Sequence, residues 1–157
     1  MAHIHEKIDF VSTAFIVHKD KVLLGHHRKL NLWLPIGGHI EFDEDPITAL
    51  YREIKEETGI DKKDLILIGE KPDIKTIGQK FLYPPQYLDI HNFSKTHQHI
   101  SFNYFLKSKT EKIVHNTKEH IEIRWFTKKQ IASEDLELYP QIKFLALEAI
   151  KQLVGKA

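Results

Sequence analysis

The chain has 157 residues, of which 41% are hydrophobic and 29% charged, and its formal net charge is +1. That length predicts one domain over residues 1–157 with a core of its own, and the near-neutral balance sets aside a dedicated binder of nucleic acid polymers. The absence of cysteine removes disulfides, thiolate metal sites and a cysteine nucleophile. No apolar run approaches the roughly 20 residues of a membrane helix, and the start, MAHIHEKIDF, lacks the basic-then-apolar pattern of a secretory signal. A cytoplasmic protein with no membrane contact is the expectation.

Phe10 to His18 is apolar and β-rich, Lys19-Asp20-Lys21 makes a turn, and Val22 to Leu24 resumes a strand, so the chain opens on a hairpin. NLWLPIGGHIEF, residues 31–42, reads as strand, loop and short strand, because Pro35, Gly37 and Gly38 interrupt it. Asp45 then suits a helix N-cap and Pro46 the first helical position. The helix runs to Thr58, with Gly59 as its stop. DLILIGE, residues 64–70, is a strand, and residues 71–94 read mostly as loop around YPPQY. HISFNYFLKS (99–108) and HIEIRWF (120–126) are strands. Thr127 and Gln130 form a capping box for a short helix. Residues 139–154 close the chain as an amphipathic helix, with Ile142, Leu145, Ala149 and Leu153 on one stripe. Strands, one helix, strands and two helices predict a mixed sheet between helical layers.

Charge is uneven along this order. Residues 37–60 hold seven acidic side chains (Glu41, Asp43, Glu44, Asp45, Glu53, Glu56, Glu57) and two basic ones, Arg52 and Lys55. At about 100° per residue, Glu53, Glu56 and Glu57 share one helix face. That face adjoins the apolar stripe of Ile47, Leu50, Tyr51, Ile54 and Thr58, and Ala49 keeps it open sterically. Glu53 is followed at i+4 by Glu57 and not by lysine, so the stripe lacks the usual relief. Clustered carboxylates favour a hard, oxygen-seeking cation such as magnesium. Arg52 is placed to hold Glu44 or Glu56 bidentately, tying loop to helix.

Gly38, Glu44, Arg52-Glu53, Ile54, Glu56-Glu57, Thr58, Gly59 and Ile60, at these spacings, resemble an intact Nudix box. One departure is Ile36, where many members have proline directly before Gly-Gly. The resemblance implies an α/β fold, the Nudix α/β/α sandwich with a mixed sheet. It also implies metal-dependent hydrolysis of a nucleoside diphosphate linked to another moiety, with Mg2+ or Mn2+ as cofactor. By the same resemblance Glu53, Glu56, Glu57 and the Gly38 carbonyl are metal ligands, Glu44 and Arg52 are supporting residues, and Glu53 and Glu57 are catalytic. Glu119 and Glu122, just before Arg124-Trp125-Phe126, are candidates for an extra base or ligand. Nucleoside triphosphates and nucleotide sugars are the substrate types left open, and a homodimer is in keeping with the family. The competing function is a catalytically silent Nudix domain that senses a nucleotide; such a domain is expected to lack one of the box glutamates, and all three are present. An isopentenyl-diphosphate isomerase of this fold is set aside for want of its cysteine.

Outside the box, Arg28 is placed to grip substrate phosphates or to lie in a solvated turn, and His39 follows Gly38 closely enough to meet substrate. Tyr83 and Tyr87 offer rings for stacking on a base, or anchors for a long irregular segment. His97 and His99 point to the same side of a strand and line a cleft or face solvent. Imidazoles suit zinc, but spacing fixes no third ligand.

Overall fold

The computed structural model describes residues 7–155. β1 (Ile8–His18) runs parallel to β7 (Gln98–Ser108) over ten residue pairs, from Ile8 opposite Gln98 to Val17 opposite Lys107. The opposite edge of β1 is divided. β2 (Lys21–His27) pairs with its last residues through a tight turn, and β4 (Ile36–His39) pairs with Val11 to Ala14. Lys19 supplies the positive φ, 54°, of that turn. β8 (His120–Thr127) lies along the outer edge of β2, and β3 (Leu32–Leu34) pairs with Gly25 to His27 on the edge that β2 shares with β1. The far edge of β7 takes β5 (Leu65–Leu67) and β6 (Tyr87–Asn92) end to end.

Between those two short strands the Gln86 side chain continues the ladder. Its amide donates to the Ile68 carbonyl at 2.7 Å, and its oxygen accepts from the Phe105 N–H at 2.6 Å. Residues 71–94 are therefore not loop throughout. β6 was hidden because Leu88 and Ile90 are 61% and 53% exposed, so the segment lacks a buried apolar alternation. Pairing with β7 makes it a strand.

Alternation along the strands sorts the core into two layers. Phe15, Val17, Val22, Leu24, Phe105 and Phe126 face one way, against α2 (Lys128–Ala132) and α3 (Pro140–Leu153). Ala14, Ile16, Leu23, Tyr104 and Leu106 face the other way, against Leu50 and Ile54 of α1 (Pro46–Thr58). The α/β sandwich is therefore as the pattern predicts. Its helix signals hold as well: Asp45 accepts from the Ile47 and Thr48 N–H groups, and Gly59 closes α1 with φ of 73°. The Thr127–Gln130 capping box is present. Among the described residues no helix is long and apolar enough to cross a membrane.

Candidate active site

α1 lies close enough to β4 for a helix carboxylate to fill the space that a strand side chain would take. A Cβ on Gly38 would stand 2.4 Å from Oε1 of Glu53. The helix carboxylates thus meet bare backbone, and their burial follows. Glu53 is 7% exposed and Glu57 only 1%, while the Glu56 side chain is 53% exposed. This corrects the expectation of an open carboxylate stripe: two of the three glutamates point into the protein, and Ala49 is buried beside them.

Burial is the main cause of an upward pKa shift at both Glu53 and Glu57. At Glu53 the Arg52 guanidinium opposes it, and the charges of Glu57 and Glu56 add to it. At Glu57 the nearby Glu119 adds to it, while the Gly37 N–H, 3.1 Å from Oε1, opposes it. Arg52 is the organising cation. Its Nε and Nη2 donate to the two oxygens of Glu44 at 2.6 and 3.1 Å. Nη1 donates to Glu53 at 2.7 Å and Glu56 at 3.3 Å, and Nη2 also reaches the His39 carbonyl at 3.0 Å. The hydrogen bond from Arg52 holds the Glu44 carboxyl below its ordinary range.

The end of α1 has unsatisfied carbonyls, as every helix does, and the segment before β8 satisfies them. Val114 N–H donates to Thr58, Asn116 N–H to Glu57, and the Asn116 side chain to Glu56. That docking brings in Glu119 and His120. One ligand atom of each of Glu57, Glu119 and His120 lies within 4.8 Å of the others. His120 Nε2 is hydrogen-bonded to Oε2 of Glu57, and its ring lies over Gly25, where a Cβ would come within 2.5 Å of Nδ1. Burial pushes the His120 pKa down. His120 was not legible as a site residue; its one signal was its position beside Glu119.

The remaining candidates separate. Arg28 braces the Glu119 segment: its N–H donates to the Glu119 carbonyl at 2.8 Å and Nη2 to the Thr117 carbonyl at 2.9 Å. Glu122 does not join the carboxylates, because it is paired through both oxygens with Arg124, itself over the ring of Trp33. Tyr87 packs on Phe105 and Phe144 in the α3 layer, whereas Tyr83 has the Lys71 ammonium over its ring at 5.7 Å. His39, His97 and His99 come together, but around Asp9 on the face opposite Glu53. His97 Nε2 lies 2.9 Å and His39 Nε2 3.4 Å from Oδ2 of Asp9. Burial and the surrounding imidazoles push His99 down to about 4.

The NUDIX domain family matches residues 10–147. The chain is 30% identical over 105 residues, 66% of its length, to a Lactococcus lactis subsp. cremoris protein named "Probable DHNTP pyrophosphohydrolase", and it spans 57% of that relative's length. A NUDIX family hydrolase from Clostridium perfringens superposes with a TM-score of 0.77 at 30% identity, covering 92% of this chain and 97% of the other. A C. elegans Ap4A hydrolase gives a TM-score of 0.69 over 92% of this chain and 96% of the other; at 19% identity that likeness is one of fold. With the match running through nearly the whole sheet, and with Glu53 packed on Gly38 and Glu57 on the Gly37 N–H, the chain belongs to the Nudix hydrolase family.

Proposed function

We propose that the protein is a Mg2+- or Mn2+-dependent pyrophosphohydrolase that cleaves a nucleoside diphosphate linked to another moiety, of nucleoside triphosphate or nucleotide-sugar type. The observation that carries this is the burial of Glu53 and Glu57 against the Gly37–Gly38 backbone, with a ligand atom of Glu119 within 4.8 Å of Glu57. Three carboxylates so arranged are costly for a metal-free protein and suit a hard dication. Glu53, Glu56, Glu57 and the Gly38 carbonyl would hold it, with Glu119 on the far side. When bound, it supplies charge neutralisation for an anionic diphosphate and for the charge that develops in line at phosphorus.

The chain's own residues divide the remaining work. In the hydrolysis a water oxygen bonds to one phosphorus, the anhydride P–O bond opposite breaks, and the leaving phosphate keeps the electron pair. The water proton needs an acceptor. Glu53 is held by Arg52, and Glu57 by His120 and the Gly37 N–H. Glu119 is exposed and can pass a proton on to solvent. We assign proton acceptance to Glu119, and ligation and placement to the helix glutamates.

The test is a substrate panel with Mg2+ and with Mn2+, covering nucleoside triphosphates, nucleotide sugars, ADP-ribose and DHNTP, the last because a relative carries that name. Products are read by chromatography. Metal-dependent cleavage to a nucleoside phosphate, with pyrophosphate or phosphate from a triphosphate or a sugar phosphate from a nucleotide sugar, supports the reading, and silence across the panel returns the protein to nucleotide sensing. Gly38→Ala is expected to cost roughly 10- to 100-fold in kcat. The new Cβ displaces the Glu53 carboxylate, the far end of a flexible side chain, so the melting temperature shifts by only a few degrees or less.

The raised carboxyls also set a pH dependence. A carboxyl whose folded pKa exceeds its unfolded value stays protonated while the unfolded chain ionises, so stability is lost as pH rises from the unfolded pKa to the folded one. The metal-free protein is therefore expected to melt lower at about pH 8 than at about pH 5.5. Millimolar Mg2+ restores the difference, with a larger gain at the higher pH, because ligation releases the carboxyl protons. Thermal melts at both pH values with and without Mg2+ check this; a gain independent of pH contradicts it.

A further inference from the structure

Away from α1, on the opposite face of the sheet, β1, β4 and β7 bring together Asp9, His39 and His99. Asp9 is opposite His99 in the parallel ladder, and His39 is opposite Val11, two residues further along β1 and on the same face. One ligand atom of each lies within 4.8 Å of the other two. Asp9 and His99 are buried and His39 is partly so. Around them His91 and His97 stand edge-on to the His99 ring, and Phe93 stacks on it at 4.7 Å.

We propose that Asp9, His39 and His99 form a binding site for a zinc-class divalent transition metal, separate from the carboxylate site on α1. Ligands at the 2.0–2.1 Å typical of zinc stand roughly 3.4 Å apart across a tetrahedral edge. Asp9 Oδ2 and His39 Nε2 are already 3.4 Å apart. Two imidazoles and one carboxylate suit zinc and its neighbours, whereas magnesium prefers all-oxygen shells. His97, bonded to the same Asp9 oxygen, is a positioning residue that aims the carboxylate. The ion would tie three strands together at their open end. It would also fix β4, whose Gly38 turns to the Glu53 side while His39 turns to this one. The His39 carbonyl, which accepts from Arg52, is the backbone link between the two sites.

The test uses the full chain, stripped with chelator and desalted, and titrated with Zn2+ by calorimetry and with Co2+ by visible absorption. In a Glu53→Gln/Glu57→Gln background one Zn2+ per chain is expected to bind, Mg2+ is not, and Co2+ gives the strong visible bands of a tetrahedral site. Asp9→Asn and His39→Gln are each expected to weaken Zn2+ by at least about 100-fold. Should Asp9→Asn fail to fold by circular dichroism, His39→Gln, at a more exposed position, decides alone. A smaller loss in folded His39→Gln overturns the proposal. So does binding that vanishes with the two glutamates, or binding that His3→Ala/His5→Ala abolishes.

Discussion

Replacing Glu57 with glutamine is expected to lower kcat roughly a thousandfold or more and to leave the melting temperature at or above the wild-type value. The two halves have one cause. Glu57 is the most buried carboxylate of the site, and burial pushes its pKa up. An ionised group there is tolerated for function and not for stability. Glutamine keeps the shape and an oxygen that can accept from the Gly37 N–H, and it removes the desolvation penalty. It cannot offer a negative charge to a cation. Glu53→Gln should behave alike, with a smaller thermal gain because Arg52 already compensates Glu53. Turnover at saturating Mg2+ together with a thermal melt tests both; near-wild-type kcat in Glu57→Gln ends the assignment.

Arg52→Ala carries the second large effect, and its sign on stability is opposite. The guanidinium bonds Glu44, Glu53, Glu56 and the His39 carbonyl at once. Its removal strands two poorly exposed carboxylates without their counter-ion. Breaking a buried pair from one side costs about 3–5 kcal/mol; with Arg52 a quarter exposed, about 2–4 kcal/mol is expected here. For a chain of this size that is a fall of roughly 5–15 °C in Tm. Arg52→Lys should recover less than half, since a point charge cannot span Glu44 and Glu53 in a fork. Urea denaturation of the three proteins measures it. A loss under about 1 kcal/mol in Arg52→Ala would mean that the carboxylates are held by something else.

Local signals explain what was legible. Asp45, Pro46 and Gly59 delimit α1 because capping is a matter of a few adjacent residues. The spacing of Glu53, Glu56 and Glu57 placed them on one face but could not say that the face turns inward. That depends on Gly38, whose missing side chain leaves room for the Glu53 carboxylate. His120 and Asp9 were out of reach for a similar reason. His120 meets Glu57 across 63 residues, and Asp9 meets His97 across 88. Asp9 did leave a trace, as a lone charge in an apolar strand, and a buried polar group is more informative than an exposed apolar one. β6 left none, since its partner alone makes it a strand.

The parallel pairing of β1 with β7 has a consequence in time as well as in space. Its partners lie 90 residues apart, and β2 meets β8 across up to 106. Contacts of such range form slowly, after much chain entropy has been given up. α1 can begin to coil as soon as its own residues leave the ribosome. The Glu119–His120 partner for Glu57 arrives only after some 60 further residues have been synthesised. The helix therefore precedes part of its surroundings: Glu53 can meet Gly38 and Arg52 early, whereas Glu57 gains its His120 partner only when β8 joins the sheet.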